Sequence, residues 1–190
     1  MNKNIMIVGV GGQGSLLASK LLGNVVMASG YDVKVSEVHG MAQRGGSVVT
    51  YVKYSDKKVY SPVINEGEAD MIISFELLEA ARWLPYLKKG GTIVVNNQQI
   101  SPMPVITGAA TYPENLADKL DMIVDDLIVV DALGLAEKAG NAKAVNVVLM
   151  GVASKTLGFS EEAWQNALTA CVPEKFLELN KKAFALGQNR

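Results

Sequence analysis

Residues 5–30 constrain the fold more than any other part of the chain. Ile5 to Val8 is a continuous apolar run rich in β-branched side chains, and it breaks into Gly9-Val10-Gly11-Gly12-Gln13-Gly14. A stretch with Leu17, Leu21 and Val25 at helical spacing follows and stops at Gly30. Strand, glycine turn and helix in that order make a βα unit, and Val33 to Val38 reads as the strand completing βαβ.

The pattern then repeats with variations. Ser47 to Tyr54 is strongly β-prone, and residues 55–58 read as a turn into another short strand, so 47–60 predicts an antiparallel excursion. Met71 to Ser74 and Thr92 to Val95 read as buried strands. Between them Glu76 to Lys89 is amphipathic, with Leu77, Ala81 and Leu84 on one side, and Pro85 predicts a kink or an early stop. Asn96 to Tyr112 reads as a loop around a short strand at Val105-Ile106. Leu127 to Val130 is the last core strand, and Leu133 to Ala139 is helical. Ser160 with Glu161 and Glu162 marks a helix start, Pro173 suits a first helical position, and Gly187 reads as a stop. Strands alternating with helices predict an α/β, Rossmann-like fold. Its sheet is mainly parallel with helices on both faces, and its C-terminal third is helical. Residues 1–190 are read as one domain.

Charge narrows the partners. Basic and acidic residues number 18 and 19, for a net charge of −1. With no basic excess to neutralise a phosphate backbone, nucleic acid is not expected. No stretch is long enough to span a membrane, and the first apolar run is too short for a signal peptide, so the expected location is cytoplasmic. The single cysteine, Cys171, and the single histidine, His39, cannot supply the four ligands of a structural zinc site or an iron–sulfur cluster.

Gly9-x-Gly11-x-x-Gly14 matches the dinucleotide fingerprint in its proper context. Glycines let backbone approach a phosphate, and the helix start offers free N–H groups and a partial positive charge. Gly9, Gly11, Gly12, Gln13 and Gly14 are therefore candidate anion-binding residues. Packing of helix on strand explains the same glycines without a ligand. Glu37, near the end of the second strand, stands where a ribose-binding acid would stand.

The segment Ser36-Glu37-Val38-His39-Gly40-Met41-Ala42-Gln43-Arg44-Gly45-Gly46 gathers an acid, the histidine, a glutamine and an arginine beside that loop. His39 is a group for proton transfer near neutrality, or a turn cap. Arg44 is a group for gripping a carboxylate or phosphate, or a partner for Glu37. The cluster as a whole points to a functional or interface role. No nucleophile–base–acid triad and no Walker lysine accompany it.

Taken together, Gly9 to Gly14 and Ser36 to Val48 resemble the gamma-type subunits of the 2-oxoacid:ferredoxin oxidoreductases. Pyruvate-type members carry a histidine-arginine pair before the glycine core and a double arginine in the second loop. Here those places read Gly9-Val10-Gly11 and Ala42-Gln43-Arg44, which resembles the indolepyruvate branch. Matches continue at Ser61-Pro62, Glu76, Tyr112-Pro113, Asp131-Ala132, Asn146 and Asn180 to Gly187, and so cover essentially the whole chain. The resemblance implies coenzyme A-dependent oxidative decarboxylation of an indolepyruvate-type 2-oxoacid, with electrons passed to ferredoxin. It places thiamine diphosphate, Mg2+ and 4Fe–4S clusters on a large partner subunit, none on this chain, which alone would be inactive. It makes the glycine loop a site for coenzyme A phosphates, and Glu37, His39, Met41, Gln43, Arg44 and Gly45 an interface or substrate channel; no catalytic residue is assigned. Self-association of the isolated chain stays open. So do three other readings: a stand-alone NAD- or FAD-binding oxidoreductase, a gamma subunit of a pyruvate or 2-ketoisovalerate enzyme, and a structural or regulatory nucleotide-binding module.

Overall fold

The computed structural model describes residues 2–40 and 46–190. Its first unit is as expected: β1 (Lys3–Val10), the glycine turn, then α1 (Ser15–Ala28). The chain continues through β2 (Asp32–His39), β3 (Ser47–Ser55), β4 (Ala69–Ser74), α2 (Leu77–Trp83), β5 (Leu87–Asn96), α3 (Met103–Ile106), α4 (Leu116–Asp121) and β6 (Asp126–Val130). It finishes with α5 (Ala132–Ala139), α6 (Val145–Leu157), α7 (Glu161–Cys171) and α8 (Glu174–Gln188). No helix among the described residues is long and apolar enough to cross a membrane.

The strands form one sheet in the order β2-β3-β1-β4-β5-β6. β1, β4, β5 and β6 pair in parallel, while β3 pairs antiparallel with both β1 and β2. The antiparallel excursion is therefore present, but it lies inside the sheet, and it separates the two strands of the expected βαβ unit. Burial explains the insertion. Val48, Val49 and Thr50 are consecutive and all buried, so β3 needs cover on both faces and takes the inner place. β2, with exposed Val35 and Val38, is left at the edge. The short strand expected after residues 55–58 does not form. There the Asp32 carboxylate accepts the Val59 N–H at 2.7 Å and holds the segment as a loop.

Helices cover both faces. Ile5, Ile7, Val52 and Ile73 pack against α1 and the C-terminal helices. Met6, Val8, Ile72 and Ile93 pack against α2 and α4. Pro85 ends α2 early, as expected: a 3-10 turn at Leu84–Tyr86 leads straight into β5. Two further expectations are corrected. Val105-Ile106 is the last part of the short helix α3, because Pro102 and Pro104 bracket its start where proline fits a helix. Gly187 does not end a helix. It lies inside α8, where a Cβ would collide with the Val148 carbonyl oxygen of α6, and Gly151 of α6 faces the Phe184 carbonyl in the same way. These glycines let two helices touch backbone to backbone.

Candidate functional site at the carboxyl rim of the sheet

The turns that leave β1, β4, β5 and β6 are tied to one another by two side-chain amides, Gln13 half-buried and Asn96 buried. The Gln13 side chain folds back on its own loop: Oε1 accepts the Val10 N–H at 2.7 Å, and Nε2 donates to the Phe75 carbonyl at 3.2 Å. The same carbonyl accepts Asn96 Nδ2 at 3.2 Å, and Asn96 Oδ1 accepts the Ala132 N–H at 3.1 Å. One chain of hydrogen bonds thus runs from the glycine turn to the start of α5. Gln13, expected as a ligand-facing side chain, spends its polar atoms on this network.

Gly14 is the N-cap of α1 at φ 91°, and no side chain caps the helix there. Asn146 of α6 donates to the Gly14 carbonyl at 3.2 Å, and a Cβ on Gly14 would lie 2.5 Å from its Nδ2. The backbone of the turn is therefore held from behind while the α1 start is left open in front. Open clefts flank it on two sides. One of about 520 Å³ is lined by Gly12, Gln13, Gly14, Gln98, Leu133 and Lys143, among others. The other, about 490 Å³, is lined by Gly11, Gly12, Gly14, Ser15, Glu37 and His39, with Leu16 and Val48. Among the described residues, the first carries a lysine and the second a carboxylate.

Glu37 faces the second cleft with one oxygen already engaged. Its Oε2 accepts the Ser15 hydroxyl at 3.0 Å and the Thr50 hydroxyl at 3.1 Å. His39 is exposed beside it, with Nδ1 only 3.4 Å from the Gly40 carbonyl oxygen. Met41, Gln43, Arg44 and Gly45 lie outside the described residues, and with them the expected Glu37–Arg44 pair. The next residue, Gly46, is described: its carbonyl accepts the Gly11 N–H at 2.9 Å. The two segments singled out in the sequence therefore meet at one rim.

Sequence reasoning missed the acids beneath that rim. Glu76 and Glu79 are 1% and 4% exposed. Glu76 caps α2 and accepts the Tyr112 hydroxyl, and burial together with this bond pushes the Tyr112 phenol far above its ordinary range. Glu76, Tyr112 and Asn146 entered only as points of resemblance. The legible signal was the capping pattern of Glu76 and Glu79 around an apolar helix start. Lys143 gave no signal, since it is an exposed residue after a turn. Cys171 lies elsewhere, on α7 beside Asn24, and burial raises its thiol. Among the described residues no group of three or more histidine, cysteine or acidic side chains is placed to hold a metal ion.

Comparisons with known proteins agree on one family. Residues 4–189 match the family described as pyruvate ferredoxin/flavodoxin oxidoreductase. Indolepyruvate oxidoreductase subunit IorB of Thermococcus kodakarensis is 46% identical over 97% of this chain and 93% of that protein. The pyruvate/ketoisovalerate oxidoreductases common subunit gamma of the same organism is 24% identical over 93% and 92%. Among solved structures, the gamma subunit of a keto/oxoacid ferredoxin oxidoreductase from Geobacter sulfurreducens superposes with a TM-score of 0.73 at 25% identity, covering 98% of this chain and 96% of that one.

Proposed function

The chain belongs to the pyruvate ferredoxin/flavodoxin oxidoreductase family, and from that premise we propose that it is the small, gamma-type subunit of an indolepyruvate:ferredoxin oxidoreductase. The observation that carries the choice of branch is the contrast in identity: 46% to an indolepyruvate subunit against 24% to a pyruvate/ketoisovalerate subunit, both over nearly the whole length. The reaction of the assembled enzyme balances as follows. A 2-oxoacid loses carbon dioxide, its acyl carbon forms a thioester with coenzyme A, and two electrons pass to ferredoxin with release of a proton.

Thiamine diphosphate, magnesium and the clusters belong to the large partner. One cysteine cannot supply the thiolates of a cluster. Thiamine supplies the carbanion chemistry there. What this chain supplies is a surface. Coenzyme A carries a pyrophosphate and a further phosphate on its ribose, so its charge suits the cleft of Lys143 and the uncapped start of α1 rather than the cleft of Glu37. Glu37, already accepting two hydroxyls, suits a neutral donor. Leu16, Val38, Met103 and Ile106 stand exposed on segments that meet this rim, and they are apolar area for a partner to cover.

Anaerobic co-purification of the tagged chain from its own cell tests the assignment. The expected result is a brown complex with a larger subunit that oxidises indolepyruvate and reduces a viologen dye only when coenzyme A is present. A chain that purifies alone and binds a nicotinamide dinucleotide by calorimetry would contradict it.

A further inference from the structure

Glu76 and Glu79 play no part in the reading above, yet both are buried three positions apart at the start of α2. A buried carboxylate is costly unless donors surround it, and each has its set. Glu76 Oε2 accepts the Glu79 N–H at 2.9 Å, and Oε1 accepts the Ile100 N–H at 3.1 Å together with the Tyr112 hydroxyl. Glu79 Oε1 accepts Arg82 Nε at 3.1 Å, and Oε2 accepts Trp83 Nε1 at 3.3 Å together with the Ser47 hydroxyl.

The two sets reach in different directions. Glu76 fastens the segment after β5, whose Gln98 and Ile100 line the first cleft. Glu79 fastens the start of β3, whose Val48 lines the second cleft and whose neighbour Gly46 is bonded to Gly11. Neither carboxylate lines a cleft itself.

We propose that Glu76 and Glu79 are positioning residues, each setting one wall of the double cleft around the glycine loop: Glu76 through Ile100 and Tyr112, Glu79 through Ser47. A carboxylate fits the task because it only accepts, and every group that converges on it donates. Glutamine would turn an N–H toward those donors and lose contacts on one side. Packing alone would be served better by apolar side chains, so two buried acids under one rim point to geometry held at a cost in stability. Only the kinetic part of the test rests on the functional reading.

Two mild variants separate the walls. Hydrogen exchange is followed by mass spectrometry on the full chain with Tyr112→Phe and with Ser47→Ala. Tyr112→Phe should speed exchange about tenfold in peptides covering residues 97–112 and leave residues 46–52 unchanged; Ser47→Ala should do the reverse. In the assembled enzyme Tyr112→Phe should raise the KM for coenzyme A roughly tenfold, while Ser47→Ala and Glu79→Gln leave it unchanged and the KM for the 2-oxoacid stays fixed in all three. Both walls loosening together, or neither loosening, overturns the proposal. So does an unchanged coenzyme A KM for Tyr112→Phe in an enzyme whose wild type is active. A wild-type complex without coenzyme A-dependent turnover counts against the functional reading alone, and the exchange pattern then decides the positioning role.

Discussion

Gly14 answers to two constraints at once. Its backbone lies in the left-handed region, and its missing Cβ leaves room for the Asn146 amide. Gly14→Ala should therefore lower stability by about 1–2 kcal/mol from the backbone alone, with more from the clash, as read by urea denaturation. Asn96 is the other residue on which the rim depends. Asn96→Ala strands the buried Ala132 N–H and should cost about 1–3 kcal/mol in the same measurement. Asp32 gives a pH test. The Val59 N–H holds its carboxyl below the usual carboxylate range. A depressed folded-state pKa contributes stability above the unfolded value and loses it as pH falls through the folded one. Asp32→Asn should flatten the stability curve below about pH 4, most visibly as faster proteolysis around residue 59 in the wild type on acidification. At this scale the sequence showed where the glycines had to be. It did not show that Gln13 would turn inward, because an amide three residues from a backbone N–H donor can bond locally or reach outward, and only the Phe75 carbonyl arriving from β4 decides between them.

Elements were legible where the pattern was local. The β1–α1 unit, the early stop at Pro85 and the Ser160 cap, whose hydroxyl accepts the Ala163 N–H at 3.2 Å, follow from neighbouring residues. Strand order was not legible, because it depends on pairing across the molecule. β3 follows β2 in sequence as a plain hairpin partner, yet it also captures β1 through a full register from Lys3 with Tyr54 to Val10 with Ser47. Val105-Ile106 misled through β-propensity, which yields here to a short helix that starts at Pro102 and Pro104. Gly187 misled in the opposite way: a helix stop and a helix crossing both ask for glycine, and the distinction lies in α6, far away in sequence. Gly187→Ala forces a Cβ onto the Val148 carbonyl, which no rotamer can relieve. It should cost about 1–3 kcal/mol or more by overpacking, with loss of chain solubility before loss of helix content by circular dichroism. A fully stable Gly187→Ala would mean that the crossing is loose.

On the scale of the whole molecule, apolar exposure is spread over several surfaces, but one rim combines it with two clefts. A lysine cleft and a carboxylate cleft share the glycine loop between them, and exposed apolar side chains stand on the segments around it. That arrangement makes sense for a subunit whose ligand and partner arrive from the same side. Lys143→Glu should raise the KM for coenzyme A about tenfold, with little effect on folding because the side chain is exposed. The substrate itself was legible only through resemblance. The most direct test of the account is therefore the anaerobic, coenzyme A-dependent reduction of viologen by the purified two-subunit complex, with kcat/KM compared for indolepyruvate and pyruvate. The account predicts a preference of at least about a hundredfold for indolepyruvate. Equal or greater efficiency with pyruvate, or turnover by this chain without its partner, would contradict it.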